Sequence, residues 1–372
     1  MTMSRRSAMK VLAGGVLGAA GVAAVGGGGP FAIGHAWSRE VAYDGGVFDA
    51  GGAVLRLSQW GGFWDDLMRR LLLDDFERDF NCVVATDTDF PWAADYRARP
   101  VDDPPFALSN WNLAEMFQLA DAGDYFLPLD EVLDNVPNTR DCWPFALSNG
   151  VGVTWSFGRL CYAYRTAPEV PPPGDFRALW DAAYDGRRLV FDHTNDITKA
   201  FVMTCADVFG DGQRDWRTAL EAIRALTPLR KVHFSHEAVP LLEDGRIDIC
   251  LQADAEVFAR INAGAAIAFL PWEPQRTILT QTMTVSRHLA PVERKLAFAL
   301  LDRVLSAPFQ EAFAAVFPLR PTNADARLPD SLARHGVENT FEATDSLWIP
   351  NWVWWSDASA EVVPRLREVL GT

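Results

Sequence analysis

Cysteine is sparse in this 372-residue chain and poorly placed for chemistry. Cys82, Cys142, Cys161, Cys205 and Cys250 stand far apart, odd in number and without C-x-x-C spacing. That argues against a disulfide framework and against a zinc or iron–sulfur centre. They read as small buried apolar residues, with one oxidised pair left open. Positive charge is short as well: 34 Lys and Arg stand against 49 Asp and Glu, a formal net charge of −15. Such a balance disfavours nucleic-acid backbones and anionic membrane surfaces as partners. It suits a cationic ligand, or simply keeps a secreted protein soluble. Catalytic signatures are missing too: there is no G-x-S-x-G, H-E-x-x-H, P-loop or dinucleotide fingerprint, and no cofactor is implied. His233 and His236 lack a third ligand nearby, so a solvated or capping role fits them better than a metal. The adjacent pairs Asp65/Asp66 and Asp74/Asp75 diverge by about 100° on a helix and do not converge as hydrolase carboxylates would.

Long apolar runs are also absent. The basic segment Ser4-Arg5-Arg6-Ser7-Ala8-Met9-Lys10 leads into residues 11–25, a mild run of Ala, Gly, Val and Leu. This run is too short and glycine-rich for a transmembrane helix, and its paired arginines resemble a twin-arginine export signal. Ala36 or Ala32 suits the cleavage site, so residues 1–36 are expected to be removed. The first cysteine is Cys82, which argues against a lipid anchor and leaves the mature protein free in the periplasm, expected as a monomer.

What is present is ordinary globular composition, 49% hydrophobic and 22% charged, on a chain long enough for two lobes. Residues 54–57 read as a buried strand, and Leu67, Met68, Leu71, Leu72, Phe76 and Phe80 mark one face of a helix over 65–80. A strand at 83–85 and a helix at 111–123 complete a βαβα order. Residues 151–164 are extended without helical period. After "PPPGD", helices are expected at 176–184, 198–209, 215–226, 238–243 and 256–262, and strands at 189–191, 247–251 and 267–270. A polar strand at 277–285 precedes helices at 292–305, on through Phe317, and at 360–370. The expected fold is α/β and two-lobed, each lobe a mixed, mostly parallel sheet flanked by helices. The lobes are expected as 53–157 with 282–320, and 158–281 with 321–372. Ligands of such sheets sit beyond the carboxyl ends of the strands, in the crevice between lobes. Trp60, in "SQWGGFW", and the segment 192–196 both face that crevice.

Four passages carry a resemblance over nearly all of residues 53–323: "LRLSQWGGFWDDLMRRLLLDDFERDF", "VGVTWSFGRLCYAYRT", "PPPGDFRALWDAAYDGRRLVF", and "EDGRIDICLQADAEVFARINAGAAIAFLPWEPQ" on through "LDRVLSAPFQEAF" and "FPLRPTN". In order and spacing they resemble the periplasmic solute-binding proteins of ABC importers, the group that includes the spermidine and putrescine receptors. The resemblance implies a non-enzymatic hinged clamshell that traps a small solute and presents it to an ABC permease driven by an ATPase subunit. It places the first-lobe aromatic loop on Trp60, Gly61, Gly62 and Phe63. The second-lobe loop falls on Asp192, His193, Thr194, Asn195 and Asp196. A further position falls near Gln252, with Asp254 and Glu256 after it. The strand returning to the first lobe offers Leu279 and Gln281 where polyamine receptors have an aromatic and a carboxylate. A neutral amide does not hold an ammonium as a carboxylate does.

Each of these residues has a plainer reading. Trp60 and Phe63 either stack on a ligand or pack the lobe interface. Asp192, Asn195 and Asp196 either meet the ligand or cap the helix that follows. Trp155, in the crossing segment, is cleft wall or hinge packing. The aromatic cluster "WIPNWVWW" packs the tail onto the lobes or offers a platform. Together the residues favour an amine-bearing solute, such as an amino-acid derivative or an opine-like compound. The alternative is a twin-arginine-exported enzyme, a hydrolase or cofactor-dependent oxidoreductase.

Overall fold

Ala53–Ser58 (β1) buries Leu55 and Leu57 and turns Val54 and Arg56 outward, the period of two expected of a strand covered on one face. It belongs to a computed structural model that describes residues 42–372, apart from Asn112 and Pro274. The export signal expected over residues 1–36 lies outside the described residues.

After β1 the chain forms α1 (Phe63–Met68), a π-helical turn over Arg69–Leu73, and α2 (Asp74–Phe80). The sequence predicts one uniform helix here. The wider π turn instead lets the adjacent Leu72 and Leu73 both face the core. β2 (Cys82–Asp87), α3 (Ala93–Ala98), β3 (Leu108–Trp111) and α4 (Leu113–Ala122) follow. β4 (Val153–Arg165) is the extended run noted above. The helix expected over 176–184 is two short 3-10 turns, Phe176–Trp180 and Ala182–Tyr184, each started by an aspartate side chain, Asp175 and Asp181. Then come β5 (Arg188–Phe191), α5 (Asp196–Phe209), α6 (Trp216–Arg224), β6 (Arg230–Val232), β7 (Ile249–Ala253), α7 (Asp254–Asn262), β8 (Ile267–Pro271) and β9 (Ile278–Val285). The chain closes with α8 (Pro291–Val304), α9 (Ala307–Val316), β10 (Arg320–Pro321) and α10 (Trp352–Leu370).

The strands order as β2-β1-β3-β9-β4-β7-β5-β6. β1 is parallel to β2 and β3, and β5 is parallel to β6 and β7, as βα connections require. The crossing strands between these two groups are antiparallel. β4 pairs with β9 up to Arg159 and with β7 from Leu160 onward. At about 3.3 Å per residue its 13 residues are long enough to serve both groups. The fold is two-lobed and mixed α/β, with helices on the sheet faces.

One apolar core packs β1, α2 and β9 against α8 and α9 through Leu57, Phe76, Phe80, Met283 and Leu300. The second joins Trp92, Trp111 and Phe117 of the first half to Phe191, Phe201 and Leu251 of the other. Trp352 and Trp355 are buried in that same cluster, because α10 lies against both α4 and α6. The aromatic tail is therefore packing, and its helix begins eight residues before the expected 360–370. All five cysteines are free thiols, so the pair left open above does not form.

Candidate functional site

The site begins in a turn. Gln59 extends the β1–β2 pairing, its amide donating to Asp87 O at 3.0 Å. A side chain at Gly61 would meet Thr88 at 3.0 Å, and Gly62 takes φ +62°, so both positions need glycine to bring the chain into α1. The turn leaves Phe63 54% exposed at the helix start, its ring 6.2 Å from Phe317. Trp60 points the other way. Its ring packs 4.9 Å from Trp92 and 5.3 Å from Phe90.

The Trp60 indole N–H donates to Gln281 Oε1 at 2.8 Å. Asn110 Nδ2 donates to the same oxygen at 3.3 Å, and Asn110 Oδ1 accepts from the Trp155 indole, also at 3.3 Å. One polar chain thus ties the end of β1 to β9, β3 and β4. Trp60, Gln281 and Trp155, singled out in the sequence, are brought together by Asn110, which was not. Asn110 lies inside β3, a four-residue strand with no periodic signal. Trp155 itself is fully enclosed between Trp64, Phe309 and Phe313, with centroids 5.0–5.8 Å apart. Of the two readings of Trp155, cleft wall or hinge packing, this environment matches packing.

The loop after β5 organises itself. Asp192 Oδ1 accepts from the Thr194 amide at 2.8 Å and from the Thr194 hydroxyl at 2.5 Å, while Oδ2 faces His233 Nδ1. Burial alone would raise the Asp192 pKa, but the Thr194 and His233 contacts outweigh it and hold the carboxyl below its ordinary range. Asn195 caps α5, its Oδ1 accepting from the Ile197 amide at 2.9 Å. His233 therefore serves Asp192, and no group of three or more metal-ligating side chains occurs among the described residues.

Asp196 differs from its neighbours. It is 3% exposed, and its Oδ1 meets Lys199 Nζ at 2.6 Å while Oδ2 has no hydrogen-bond partner. Buried polar atoms are ordinarily satisfied by protein or by ordered water, so an atom without a protein partner stands out. Others are Ser58 Oγ and Gln59 Oε1 at the end of β1, Trp92 Nε1 after β2, and Glu115 Oε2 after β3. Ser156 Oγ, opposite Gln281 in the β4–β9 register, is another. Most of them sit beyond the carboxyl ends of strands, where α/β sheets place ligands.

Two further predicted residues are engaged by protein. Gln252 is fully buried, its Nε2 donating to Ser235 O and its Oε1 accepting from the Ala253 amide, both at 2.9 Å. Asp254 accepts from Arg320 Nη1 at 2.9 Å and from the Arg159 amide at 2.9 Å, making a buried ion pair. Both are thus held by protein partners in this structure. Asp254 and Arg320 also line a cavity of about 620 Å³ with Arg159, Phe258 and His335. A second cavity, about 310 Å³, lies between Phe117, Thr154, Thr280 and Trp352. Neither takes in Trp60, Gln281 or Asp196.

Known proteins bear on this arrangement. The family model for bacterial extracellular solute-binding proteins matches residues 97–337. The chain is similar to an ABC transporter from Clostridium perfringens ATCC 13124, at 16% identity over 85% of this chain and 99% of that one, with a TM-score of 0.71. It is similar to a periplasmic binding protein of A. tumefaciens B6 in complex with glucopine, at 16% identity, 85% and 99% coverage, and a TM-score of 0.66. Another from A. tumefaciens R10, in complex with agropinic acid, gives 20%, 86% and 99%, and 0.64. At these identities the structures establish the fold alone. No curated protein matches the chain. The family model spans more than half of the sequence, and the chain belongs to the bacterial extracellular solute-binding proteins.

Proposed function

We propose that this protein captures a small amine-bearing solute between its lobes and delivers it to an ABC permease. The observation that carries the reading is the buried, unpartnered Asp196 oxygen at the start of α5, after a strand of the second half, with Trp60 bonded to Gln281 after a strand of the first. An aromatic face and an acidic acceptor favour an organic cation or zwitterion over a free anion. The solute-binding role itself follows from the family. Glucopine and agropinic acid, the solutes of two structural neighbours, are small organic compounds, which suits an amino-acid derivative or opine-like ligand here.

The polyamine-receptor subgroup fits less well. Gln281 stands where those receptors have a carboxylate, and its Oε1 is taken by Trp60 and Asn110. A single amine with further polar groups suits this site better than a linear polyamine. We assign residues 53–157 with 282–320 to one lobe and 158–281 with 321–372 to the other. The twin-arginine pair, Arg5 and Arg6, would deliver the folded protein to the periplasm. The exported-enzyme alternative has no observation in its favour. Native mass spectrometry of gently purified protein tests the reading. A bound, unreacted amine supports it, and a bound cofactor or inorganic anion contradicts it.

A further inference from the structure

Two tryptophans decide which way two amides face. An indole N–H donates and never accepts. The Trp155 indole lies 3.3 Å from Asn110 Oδ1, so Asn110 turns its oxygen to Trp155 and its Nδ2 away. Nδ2 then donates to Gln281 Oε1 at 3.3 Å, and the Trp60 indole donates to the same oxygen at 2.8 Å. A flipped Gln281 would set its NH2 against the Trp60 N–H, and a flipped Asn110 would do the same to Trp155. The oxygen of Gln281 is therefore committed to protein. Asn110 and Trp155 are fully buried, so bulk water does not compete for the bond between them. Gln281 itself is only part-buried, and its Nε2 gives its two N–H groups to no acceptor among the described residues. Ser156, opposite Gln281 in the β4–β9 pairing, holds a buried hydroxyl oxygen without a partner. Directly paired residues share a face, so the open amide and the hydroxyl lie on one side of the sheet.

We infer that Gln281 is a specificity-determining residue whose Nε2 reads a hydrogen-bond acceptor of the solute, a carboxylate. The inference rests on the solute-receptor reading, with Trp60 and Gln281 as ligand contacts, and names the group of the solute that meets β9. Asn110 is a positioning residue, acting through the amide it holds. The polarity follows from the committed oxygen. An ammonium brought to Gln281 sets N–H groups against N–H groups, and a closed, dry cleft leaves both without a partner. A carboxylate accepts the same N–H groups with the assistance of its charge. A site built to bond one group rejects an analogue that lacks it far more strongly than an apolar wall does. The amine-bearing solute thus carries an acceptor as well, which admits a zwitterion and turns away a plain diamine.

The probes are δ-aminovalerate and cadaverine, two five-carbon compounds that share one ammonium. The other end is a carboxylate in the first and a second ammonium in the second. In calorimetry at neutral pH and constant ionic strength, the wild type should bind δ-aminovalerate about tenfold or more tightly than cadaverine, the scale of one charge-assisted hydrogen bond. Gln281→Glu keeps an oxygen for Trp60 and Asn110 but makes the free end an acceptor, so it should reverse the preference. Gln281→Met removes donor and acceptor alike, and should lose δ-aminovalerate without gaining cadaverine. Were Gln281 merely structural, Gln281→Glu would preserve its inner bonds and leave the wild-type preference in place. Cooperative melts establish that each variant is folded. Equal binding of the two probes by the wild type, no binding of either included, or an unreversed preference in Gln281→Glu, would overturn the inference. The receptor reading fails separately: it falls only if no solute in a broad screen closes the lobes by small-angle scattering.

Discussion

Trp60 is held from both sides, by aromatic packing against Trp92 and by the hydrogen bond to Gln281. Trp60→Ala should weaken solute binding roughly tenfold or more, since a lost aromatic stack on a cation costs about 1–2 kcal/mol. Calorimetry with the co-purified solute measures this, and a cooperative melt of the variant excludes misfolding. Glu115 makes a different prediction, about pH. Its folded pKa, raised by burial and Asp196 from 4.5 to about 7, exceeds its value in the unfolded chain. The folded state therefore holds a proton that the unfolded state has lost, so stability is greatest at low pH and falls as pH rises toward and through 7. Subtracting the Glu115→Gln melting profile from that of wild type should give a difference that declines between pH 5 and 8. A flat difference would mean that the carboxyl is not buried. Trp60 was legible in the sequence because it follows a strand in a glycine turn, and Gln281 because the resemblance to the polyamine receptors falls on it. Glu115 was not, because a first-turn glutamate is common and only its missing partner sets it apart.

Among the elements, the junction of β10 with α7 bears most directly on how the halves are joined. Arg320 on β10 meets Asp254 at the start of α7, with side chains only 10% and 4% exposed. The guanidinium also lies 5.8 Å from the Phe157 and Phe258 rings. Removing one partner strands a buried charge, so Arg320→Ala should cost about 3–5 kcal/mol in chemical denaturation. A loss below about 1 kcal/mol would place the pair in water, where ion pairs contribute little. Periodicity could not announce this pair, because its partners are 66 residues apart. The same limit hid α3 and β3, six and four residues long, too short to display a period. It also hid the start of α10, where "WIPNWVWW" is aromatic on every side and offers no polar face to mark a helix.

At the scale of the whole molecule, the alternation of strands and helices was readable because each βα unit carries its own local signal. The polar chain of Trp60, Gln281, Asn110 and Trp155 was only half readable, because its members come from β1, β9, β3 and β4 and meet only after folding. α10 spans the two halves with Trp352 and Trp355. Trp355→Ala should therefore cost about 3–5 kcal/mol through the cavity it leaves, measurable by chemical denaturation. The central claim is that a solute held at Trp60 and Asp196 draws the lobes together, since a divided site gains affinity by burying its ligand from both sides. Small-angle scattering with and without saturating co-purified solute tests it most directly. The radius of gyration should shrink for wild type, and Trp60→Ala should need a higher solute concentration for the same change. An unchanged wild-type radius at demonstrated saturation would contradict the account.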